Sequence, residues 1–547
     1  MPYLRALLCA LTVSLMAAAL PARAEQGPVV HAPAGAAEGQ VQGDLEVFKG
    51  LPYAQPPVGP ARWTPPKPLA MWAGVRKADK FGPACVQPLS PLSTIYTDDP
   101  GPQSEDCLSL NIWTPKHASK APVFVWIYGG ALTTGASGLS IYDGSRMAAR
   151  GVVVVSINYR LGVLGYLAHP ALSAESAQGI SGNYGLLDQI EALRWIKRNI
   201  AAFGGDPGNV TIAGESAGGL SVMYLLASPP ARGLFHKAIA ESAYMVSTPE
   251  LKHDAFGHKS AEASGVELAT KLHATDIAQL RAMDAKTITN SAALAGFAPF
   301  GAVDGKVLPD QLVTVFDRGE QAHVPLLAGF NSGEIRSLRV LVLPPPASAA
   351  AYEGVIRDRY QDLAGSFLAQ YPSTNLQESV LATTRDALYG WTAERLAIKQ
   401  TAAGAPAYLY LFDHGYPAID NADLHGFHAS ELPYVFGSLD ELAPAWPKPP
   451  KTPQERALSD AMVGYWTSFA RTGEPKAAGA PDWRPYGSSG AYMAFKATPV
   501  MSQNLFPGMY TLVEQVVCRR RAAGDTQWNW NVGIAAPRIS PDSPRCH

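Results

Sequence analysis

The chain has 547 residues, of which 44 are Lys or Arg and 46 are Asp or Glu, so its formal net charge is only −2. The longest run of like charges is Arg519-Arg520-Arg521. This balance argues against nucleic acid or an anionic membrane surface as a partner. No segment after the N-terminus is apolar enough to cross a bilayer, so we expect no stable membrane insertion. The oligomeric state stays open.

Residues 1–24 have the features of a signal peptide. Arg5 provides a positive start, residues 6–20 are apolar, and residues 22–24 form a small-x-small cleavage site. The apolar run is too short to span a bilayer comfortably, and a buried N-terminal helix is the alternative. We expect an exported protein, either periplasmic or secreted.

Residues 25–547 exceed the usual domain length of roughly 100–200 residues. No linker, repeat or low-complexity tract divides them, and the Pro-rich patches at 343–346 and 446–453 are short enough to be surface loops. The sequence therefore predicts one large domain with insertions, ending in a tail at about 515–547.

Residues 38–70 alternate short β-prone stretches with Gly/Pro turns, which predicts a small N-terminal antiparallel ribbon. Residues 121–128 and 151–159 are near-continuous apolar runs, typical of strands buried on both faces of a parallel sheet. Residues 183–200 carry apolar side chains at helical spacing. This alternation predicts an α/β fold with a mostly parallel central sheet flanked by helices.

Ser216 lies between a β-branched run and an Ala/Gly-rich, helix-compatible segment. Gly214 and Gly218 flank it in the pattern G-x-S-x-G. On a sharp strand-to-helix turn the serine takes strained backbone angles, and side chains at the two glycine positions would collide with the turn. The pattern alone is a weak sign of a nucleophile, because glycine and serine are common.

Later strand candidates lie at 237–240, 324–328 and 407–412. The segments 255–295 and 350–400 between them are mostly helical in pattern. Insertions there are expected to cap the upper edge of the sheet, where a binding cleft forms in α/β folds.

Four cysteines remain after Cys9 leaves with the signal peptide: Cys85, Cys107, Cys518 and Cys546. An even number in an oxidising compartment suggests two disulfides, with three possible pairings. Proximity along the chain favours Cys85–Cys107 and Cys518–Cys546. No Cys/His cluster has zinc spacing and no Gly-rich phosphate loop is present, so no metal site is predicted.

Six motifs follow one another along the chain: KGLPYAQPPVGPARWTPP, SEDCLSLNIWTP, VWIYGGALTTG, INYRLGVLGYL, GNYGLLDQIEALRWIKRNIAAFGGDPGNVTIAGESAGG and FHASELPYVFG. Through them the chain resembles the type-B carboxylesterases, which include bacterial p-nitrobenzyl esterases, mammalian carboxylesterases and cholinesterases. The resemblance covers nearly all of residues 28–510. It implies the α/β-hydrolase fold, a small-molecule ester substrate, and no metal or organic cofactor.

The resemblance also implies the catalytic residues. Ser216 matches the family's nucleophile and Glu334, in GFNSGE, its acid. The family usually has Asp-Glu-Gly around this acid, whereas this chain has Gly333-Glu334-Ile335. Two histidines compete for the base, and the frame of ELPYVF favours His428 over His425, which is then a surface or cleft-edge residue.

These roles imply acyl transfer. His428 takes the proton of the Ser216 hydroxyl, while Glu334 holds the imidazole in the right tautomer. Water activated by the same histidine then hydrolyses the acyl-enzyme. The backbone N–H groups of Gly130, Ala131 and Ala217 match the family's oxyanion hole, each donor being worth roughly 3 kcal/mol.

Other matches are structural. Cys85–Cys107 resembles the family's first disulfide, beside the gorge, and Cys518–Cys546 is treated as a staple of the tail. Two ion pairs are expected: Arg62 with Glu105, and Arg160 with Asp188.

Two residues near the triad allow more than one role. Ser242 matches a serine behind the triad that could hydrogen-bond to Glu334, and an ordinary helix or loop serine is an equal alternative. Glu215 is expected to be an anchor rather than a catalyst.

Two other functions remain as rivals. A non-catalytic adhesion module is disfavoured, because such relatives typically lose a triad member. A dedicated detoxifying or polymer-trimming hydrolase, such as a mycotoxin or lactam-side-chain esterase, shares the mechanism and differs only in the pocket. Leu132, where the family usually has an aromatic residue, suggests a changed pocket wall.

Overall fold

Every strand and helix given below comes from a computed structural model that describes residues 27–89 and 94–546. The expected signal peptide, residues 1–24, lies outside the described residues and stays a prediction. Within them, no helix is both long enough and apolar enough to cross a membrane.

The strands of the described residues form three sheets. In chain order they are β1 Val29–Ala32, β2 Gly35–Glu38, β3 Gln40–Gln42, β4 Leu45–Pro52, β5 Val75–Lys77, β6 Ala84–Cys85, β7 Gln103–Ser104, β8 Ser109–Pro115, β9 Ala121–Ile127, β10 Val153–Ile157, β11 Gly205–Glu215, β12 Lys237–Glu241, β13 Leu326–Asn331, β14 Ala407–Phe412, β15 Ala491–Phe495 and β16 Pro499–Gln503.

The central sheet has eleven strands in the order β16-β15-β14-β13-β12-β11-β9-β10-β8-β4-β3. All pairings from β10 to β15 are parallel, and the two edges are antiparallel. Strands β9 and β10 are buried on both faces except at Ala121, as their apolar runs predicted. The predicted, mostly parallel sheet is confirmed.

The N-terminal ribbon differs from the prediction. Strands β3 and β4 pair antiparallel, with Gln40 opposite Val47, but β4 also pairs with β8 and so extends the central sheet. The apolar residues of β4 are buried because they continue the core face of β8. The separate small sheet is instead β1-β2-β5, which begins at Val29, before the predicted ribbon.

Helices flank the central sheet and cap its upper edge. They are α1 Ser145–Ala148, α2 Gly162–Tyr166, α3 Pro170–Glu175, α4 Tyr184–Asn199, α5 Ala217–Ala227, α6 Ala261–Lys271, α7 Ile277–Ala282, α8 Ala285–Leu294, α9 Leu312–Asp317, α10 Ala349–Tyr360, α11 Ala364–Gln370, α12 Leu376–Arg385, α13 Trp391–Ala402, α14 Pro417–Asn421, α15 Leu432–Phe436, α16 Pro453–Thr472 and α17 Met509–Ala523.

Shorter helical elements connect these. A π-helical stretch, Asp386–Gly390, joins α12 to α13 and is called the π segment below. Single 3-10 turns occur at Gly59–Ala61, Ser140–Tyr142, Ile200–Phe203, Pro229–Ala231, Glu334–Arg336, Arg339–Leu341, Gln361–Leu363, Gly487–Ser489, Gly533–Ala535 and Pro544–Cys546.

The two predicted helical insertions are confirmed as α6–α8 and α10–α13. Polar side chains begin most of these helices by accepting a hydrogen bond from a backbone N–H of the first turn, the usual role of an N-cap residue. The capping residues are Ser260, Asp276, Asp284, Ser348 and Asn375.

Both predicted disulfides are present, Cys85–Cys107 and Cys518–Cys546. The second joins α17 to the end of the described chain. The segment after α17, residues 524–546, therefore folds back over the molecule as a tail held at both ends.

Candidate active site

Ser216 is the residue between strand β11 and helix α5. Its backbone angles are φ 57° and ψ −121°, outside the regions that L-residues favour. Its N–H donates to Glu241 O at 2.9 Å and its carbonyl accepts from Leu220 N at 2.9 Å, which hold the turn between β12 and α5. The strained strand-to-helix turn predicted from the sequence is confirmed.

The two flanking glycines have no room for a side chain. A Cβ on Gly218 would lie 2.0 Å from Ile127 O, and one on Gly214 would lie 2.5 Å from Gly218 O. Gly129, in the loop after β9, is also crowded, since an added Cβ would lie 3.0 Å from Ser216 Cβ. The predicted collision is confirmed, and the loop after β9 lies directly beside Ser216.

Glu334 and His428 are joined at the carboxyl end of the sheet. Glu334 follows β13 and accepts from Asn331 N at 2.8 Å through Oε1. Its Oε2 lies 2.5 Å from His428 Nδ1. Glu334 is fully buried and His428 is 6 % exposed. Because one carboxylate oxygen is fixed by the backbone, the other points at the imidazole.

Gly333, the residue before the acid, lies against the loop that leads to His428. Its N–H donates to Gly426 O at 2.7 Å, and a Cβ there would lie 2.5 Å from Leu424 O. The acid turn and the loop that leads to His428 touch through their backbones, so only glycine fits between them.

Glu215 occupies the other side of the histidine. Its Oε1 lies 3.1 Å from His428 Nε2, although the two atoms are not aligned for a hydrogen bond. The structure therefore brings Glu334 and His428 together and places a second carboxylate near the ring nitrogen that the serine hydroxyl was expected to contact. Sequence reasoning missed this contact, although the position of Glu215 beside Ser216 was its signal.

The two carboxylates favour a positively charged imidazole. Burial lowers the pKa of His428, but Glu215 and then Glu334 outweigh it and raise the pKa to about 9. Burial raises the pKa of Glu215 above its ordinary value; the histidine opposes this and Glu334 adds to it.

Two further buried acids lie close to Glu215. Glu241 accepts from Trp466 Nε1 at 2.9 Å, and Glu431 accepts from Asn331 Nδ2. Burial is the main cause that raises the pKa of Glu241 to about 8, and it raises the pKa of Glu431 well above its usual range, with the other glutamates adding to both. Burial therefore favours the neutral form of both acids.

The three residues expected to form the oxyanion hole come from the loop after β9 and from the start of α5. Gly130 and Ala131 follow β9 with φ of 101° and 54°, and Leu132 continues at 56°. Ala217 is the first residue of α5. Within the described residues, the N–H groups of Gly130, Ala131 and Ala217 donate to no protein group. They are therefore available to a ligand oxygen.

A model of the carboxylesterase family matches residues 26–512. The chain belongs to the carboxylesterase family. It is 36 % identical over 514 residues to the fumonisin B1 esterase of Sphingopyxis macrogoltabida, covering 88 % of this chain and 90 % of that one. It is 38 % identical over 466 residues to the para-nitrobenzyl esterase of Bacillus subtilis, covering 83 % and 91 %.

Solved structures agree with the sequence comparisons. A para-nitrobenzyl esterase structure superposes with a TM-score of 0.76 at 33 % identity, covering 88 % of this chain and 99 % of that one. The Geobacillus stearothermophilus carboxylesterase Est55 gives a TM-score of 0.72, covering 91 % and 99 %. The chain thus has the α/β-hydrolase fold and is a carboxylic ester hydrolase.

Two tyrosines enclose the histidine of this carboxylesterase. The Tyr389 ring centroid, in the π segment, lies 5.3 Å from that of His428. The Tyr96 hydroxyl donates to His428 O at 2.8 Å and lies 2.6 Å from Ser337 Oγ. Tyr96 comes from the Cys85–Cys107 loop, which the resemblance placed beside the gorge. No sequence signal pointed to Tyr389.

The remaining predictions have mixed outcomes. Both ion pairs are present, Arg62–Glu105 and Arg160–Asp188, each at 2.7 Å. The Ser242 hydroxyl is buried and has no hydrogen-bond partner among the described residues, so the suggested bond to Glu334 is not formed.

His425 lies at the surface, with its Nδ1 3.3 Å from Asp420 Oδ1. Among the described residues, no group of three or more His, Cys, Asp or Glu side chains could hold a metal ion.

Proposed function

We propose that this carboxylesterase is a serine esterase that uses Ser216 as nucleophile, His428 as general base and Glu334 as the residue that orients the histidine. The observation that carries the proposal is the Glu334–His428 Nδ1 contact beside a serine held on a strained turn. The nucleophile, acid and base also follow one another along the chain as Ser, Glu and His, which is the order expected of α/β-hydrolases.

In the acylation step, Ser216 Oγ attacks the ester carbonyl carbon and its proton passes to His428 Nε2. The carbonyl oxygen becomes an oxyanion that accepts from the N–H groups of Gly130, Ala131 and Ala217. When the C–O bond to the alcohol breaks, the imidazolium returns the proton to the leaving alkoxide. Water then attacks the acyl-enzyme by the same route and releases the acid and free serine.

His428 must lose a proton before it can act as base. With a carboxylate near each ring nitrogen, the arrangement described above favours the charged imidazolium over the neutral ring. Activation requires that Nε2 release its proton and face Ser216 Oγ rather than Glu215. Glu215 is thus a positioning residue that sets the pH at which the base becomes available.

The molecule is proposed to act outside the cytoplasm. The features of residues 1–24 and two disulfides support export, since disulfides persist in oxidising compartments. In this proposal residues 25–547 form one domain after cleavage.

Its substrate is proposed to be a small carboxylic ester, as the names of its relatives suggest. The identity of 36 % over 88 % of this chain with a fumonisin B1 esterase favours a second, narrower candidate, a mycotoxin-detoxifying esterase. Turnover of fumonisin B1 faster than of p-nitrobenzyl acetate supports the narrower function, and the reverse order supports the broad one.

A comparison of single variants tests the mechanism. Ser216→Ala and His428→Ala are expected to lower kcat on p-nitrophenyl acetate by roughly 10⁴- to 10⁶-fold. The matched control His425→Ala, at the surface, should stay within about twofold of wild type. A fluorophosphonate should label wild type at Ser216, read by peptide mass spectrometry. Labelling elsewhere, or full activity in Ser216→Ala, would refute the proposal.

A further inference from the structure

Tyr96 lies in the Cys85–Cys107 loop, on a turn that is hydrogen-bonded within itself. Thr97 N donates to Thr94 O at 3.0 Å, and Thr94 N donates back to Thr97 Oγ1 at 2.8 Å. Tyr96 N donates to Thr94 Oγ1 at 3.2 Å. The disulfide closes the loop at its base. Because these backbone groups are bonded within the turn, the Tyr96 side chain extends from a fixed main chain.

The Tyr96 hydroxyl bridges the segments that carry the proposed base and acid. It lies 2.8 Å from His428 O and 2.6 Å from Ser337 Oγ. A phenol has one proton and a carbonyl oxygen can only accept, so this proton goes to His428 O. The Tyr96 oxygen then accepts from the Ser337 hydroxyl. Ser337 ends the 3-10 turn that begins at Glu334, so one hydroxyl joins the backbone of the histidine to the acid turn.

The backbone of His428 depends on this hydroxyl. Within the described residues, neither the N–H nor the carbonyl of His428 makes another hydrogen bond. The next residue, Ala429, has a φ of 67°, in the left-handed region that is unfavourable for a residue with a Cβ. Strained backbone of this kind persists only where surrounding contacts hold it. We therefore expect the histidine to move when the Tyr96 contact is removed.

Aromatic contacts and desolvation keep the hydroxyl in place and protonated. The Tyr96 ring packs edge-on to Trp446 with centroids 5.9 Å apart, and its centroid lies 6.3 Å from that of Phe427. Desolvation raises the pKa of Tyr96 well above its usual range; the bond to Ser337 opposes this, and nearby carboxylates add to it. The hydroxyl therefore remains a donor over the pH range in which the histidine titrates.

We propose that Tyr96 is a positioning residue for the general base. This inference rests on the proposed function and adds to it a residue outside the triad and the oxyanion hole. Tyr96 acts through His428 rather than on the substrate: it holds the histidine backbone against the acid turn, so that the imidazole stays within reach of Ser216 in both steps. Glu334 fixes one ring nitrogen, and the tyrosine fixes the main chain from which the ring projects.

The test removes the hydroxyl and keeps the ring. A general base contributes about 10²- to 10⁴-fold, and the bond of His428 to Glu334 remains in Tyr96→Phe. We therefore expect kcat on p-nitrophenyl acetate to fall by about tenfold, with KM within about twofold of wild type.

Tyr352→Phe is the matched control. The Tyr352 hydroxyl also donates to a backbone carbonyl, Tyr371 O at 2.9 Å, in a separate apolar cluster of the helical insertion. Its loss should leave kcat and KM within about twofold of wild type. Thermal unfolding of both variants measures the stability that is lost with each hydrogen bond.

A second readout follows the histidine without turnover. The proton between His428 Nδ1 and Glu334 Oε2 should give a low-field proton NMR signal, which should shift in Tyr96→Phe but not in Tyr352→Phe. An unchanged kcat or an unmoved signal in Tyr96→Phe overturns the proposal. So does an equal loss of kcat in both variants, or a raised KM at unchanged kcat, which indicates a substrate contact. Failure of the serine mechanism would appear differently, as activity in Ser216→Ala or fluorophosphonate labelling away from Ser216.

Discussion

The turn at Ser216 and the helical insertion α10–α13 are built in opposite ways. At the turn, backbone segments cross so closely that Gly214 and Gly218 cannot carry even a methyl group. In the helical insertion, Gly354 and Gly365 have no atom within 4 Å of an added Cβ. The turn is therefore fixed by backbone contacts that leave no room for another atom, whereas the insertion has positions that can accept one.

The largest expected effect comes from adding one methyl group at the turn. Gly218→Ala would place a Cβ 2.0 Å from Ile127 O, so the turn must open and displace Ser216. We expect kcat on p-nitrophenyl acetate to fall by about 10²-fold or more, since misplacing a catalytic group by about 1 Å costs roughly 10²-fold.

The matched change in the insertion is Gly354→Ala, inside α10. It should leave activity intact and raise the free energy of unfolding by about 0.5–1 kcal/mol. If Gly218→Ala and Gly354→Ala lowered kcat by the same factor, the turn would be no less tolerant of an added methyl group than the insertion.

The second prediction concerns Asn529, which ties the C-terminal tail to the π segment. Asn529→Ala leaves the carbonyls of Ala387 and Met245 without their donor, and each buried unpaired group costs about 1–3 kcal/mol. We expect a loss of about 2–5 kcal/mol in the free energy of unfolding, measured by urea denaturation, with Ser216 still labelled by a fluorophosphonate. Unchanged stability would show that the tail does not hold the π segment.

The third effect concerns Glu215. Its charge raises the pKa of His428, so Glu215→Gln should lower that pKa and move the acid limb of the kcat/KM profile to lower pH. We expect a shift of about one unit. Glu267→Gln, at an exposed position, should not move the limb. A shift to higher pH in Glu215→Gln would contradict this role.

The smallest effect is on stability. The pKa of Glu241 rises from 4.5 to about 8 on folding, mainly through burial. The folded state therefore holds a proton that the unfolded chain releases, and stability falls as pH rises from about 4.5 to about 8. Glu241→Gln mimics the protonated acid, so it should stabilise the protein more at pH 8 than at pH 5, by thermal unfolding. The same gain at both pH values would show that Glu241 is ionised in the folded state.

Much of the fold was predictable from local pattern. The apolar runs at 121–128 and 151–159 needed no partner to indicate buried strands, and Gly214 and Gly218 indicated a crowded turn. The motif order brought Glu334 and His428 into one site. These inferences succeed because each depends on residues close in sequence or on a pattern that spans the family.

Other features depend on contacts between distant segments. The hairpin β3–β4 joins the central sheet because its apolar face continues β8, which its own pattern does not reveal. Glu215 lies near one ring nitrogen of His428, and Tyr389 packs against the same ring from the π segment. Such side-chain directions arise when the insertion packs, so spacing alone did not indicate them.

The Cys518–Cys546 bond has a consequence for how the protein is produced. It lies outside the matched family region and closes the C-terminal tail, residues 524–546. Material made in a reducing cytoplasm would lack this bond and also Cys85–Cys107, whose loop brings Tyr96 to the backbone of His428. Preparations of one sequence would then differ in the order of the tail and in the support of the histidine, according to the expression host alone.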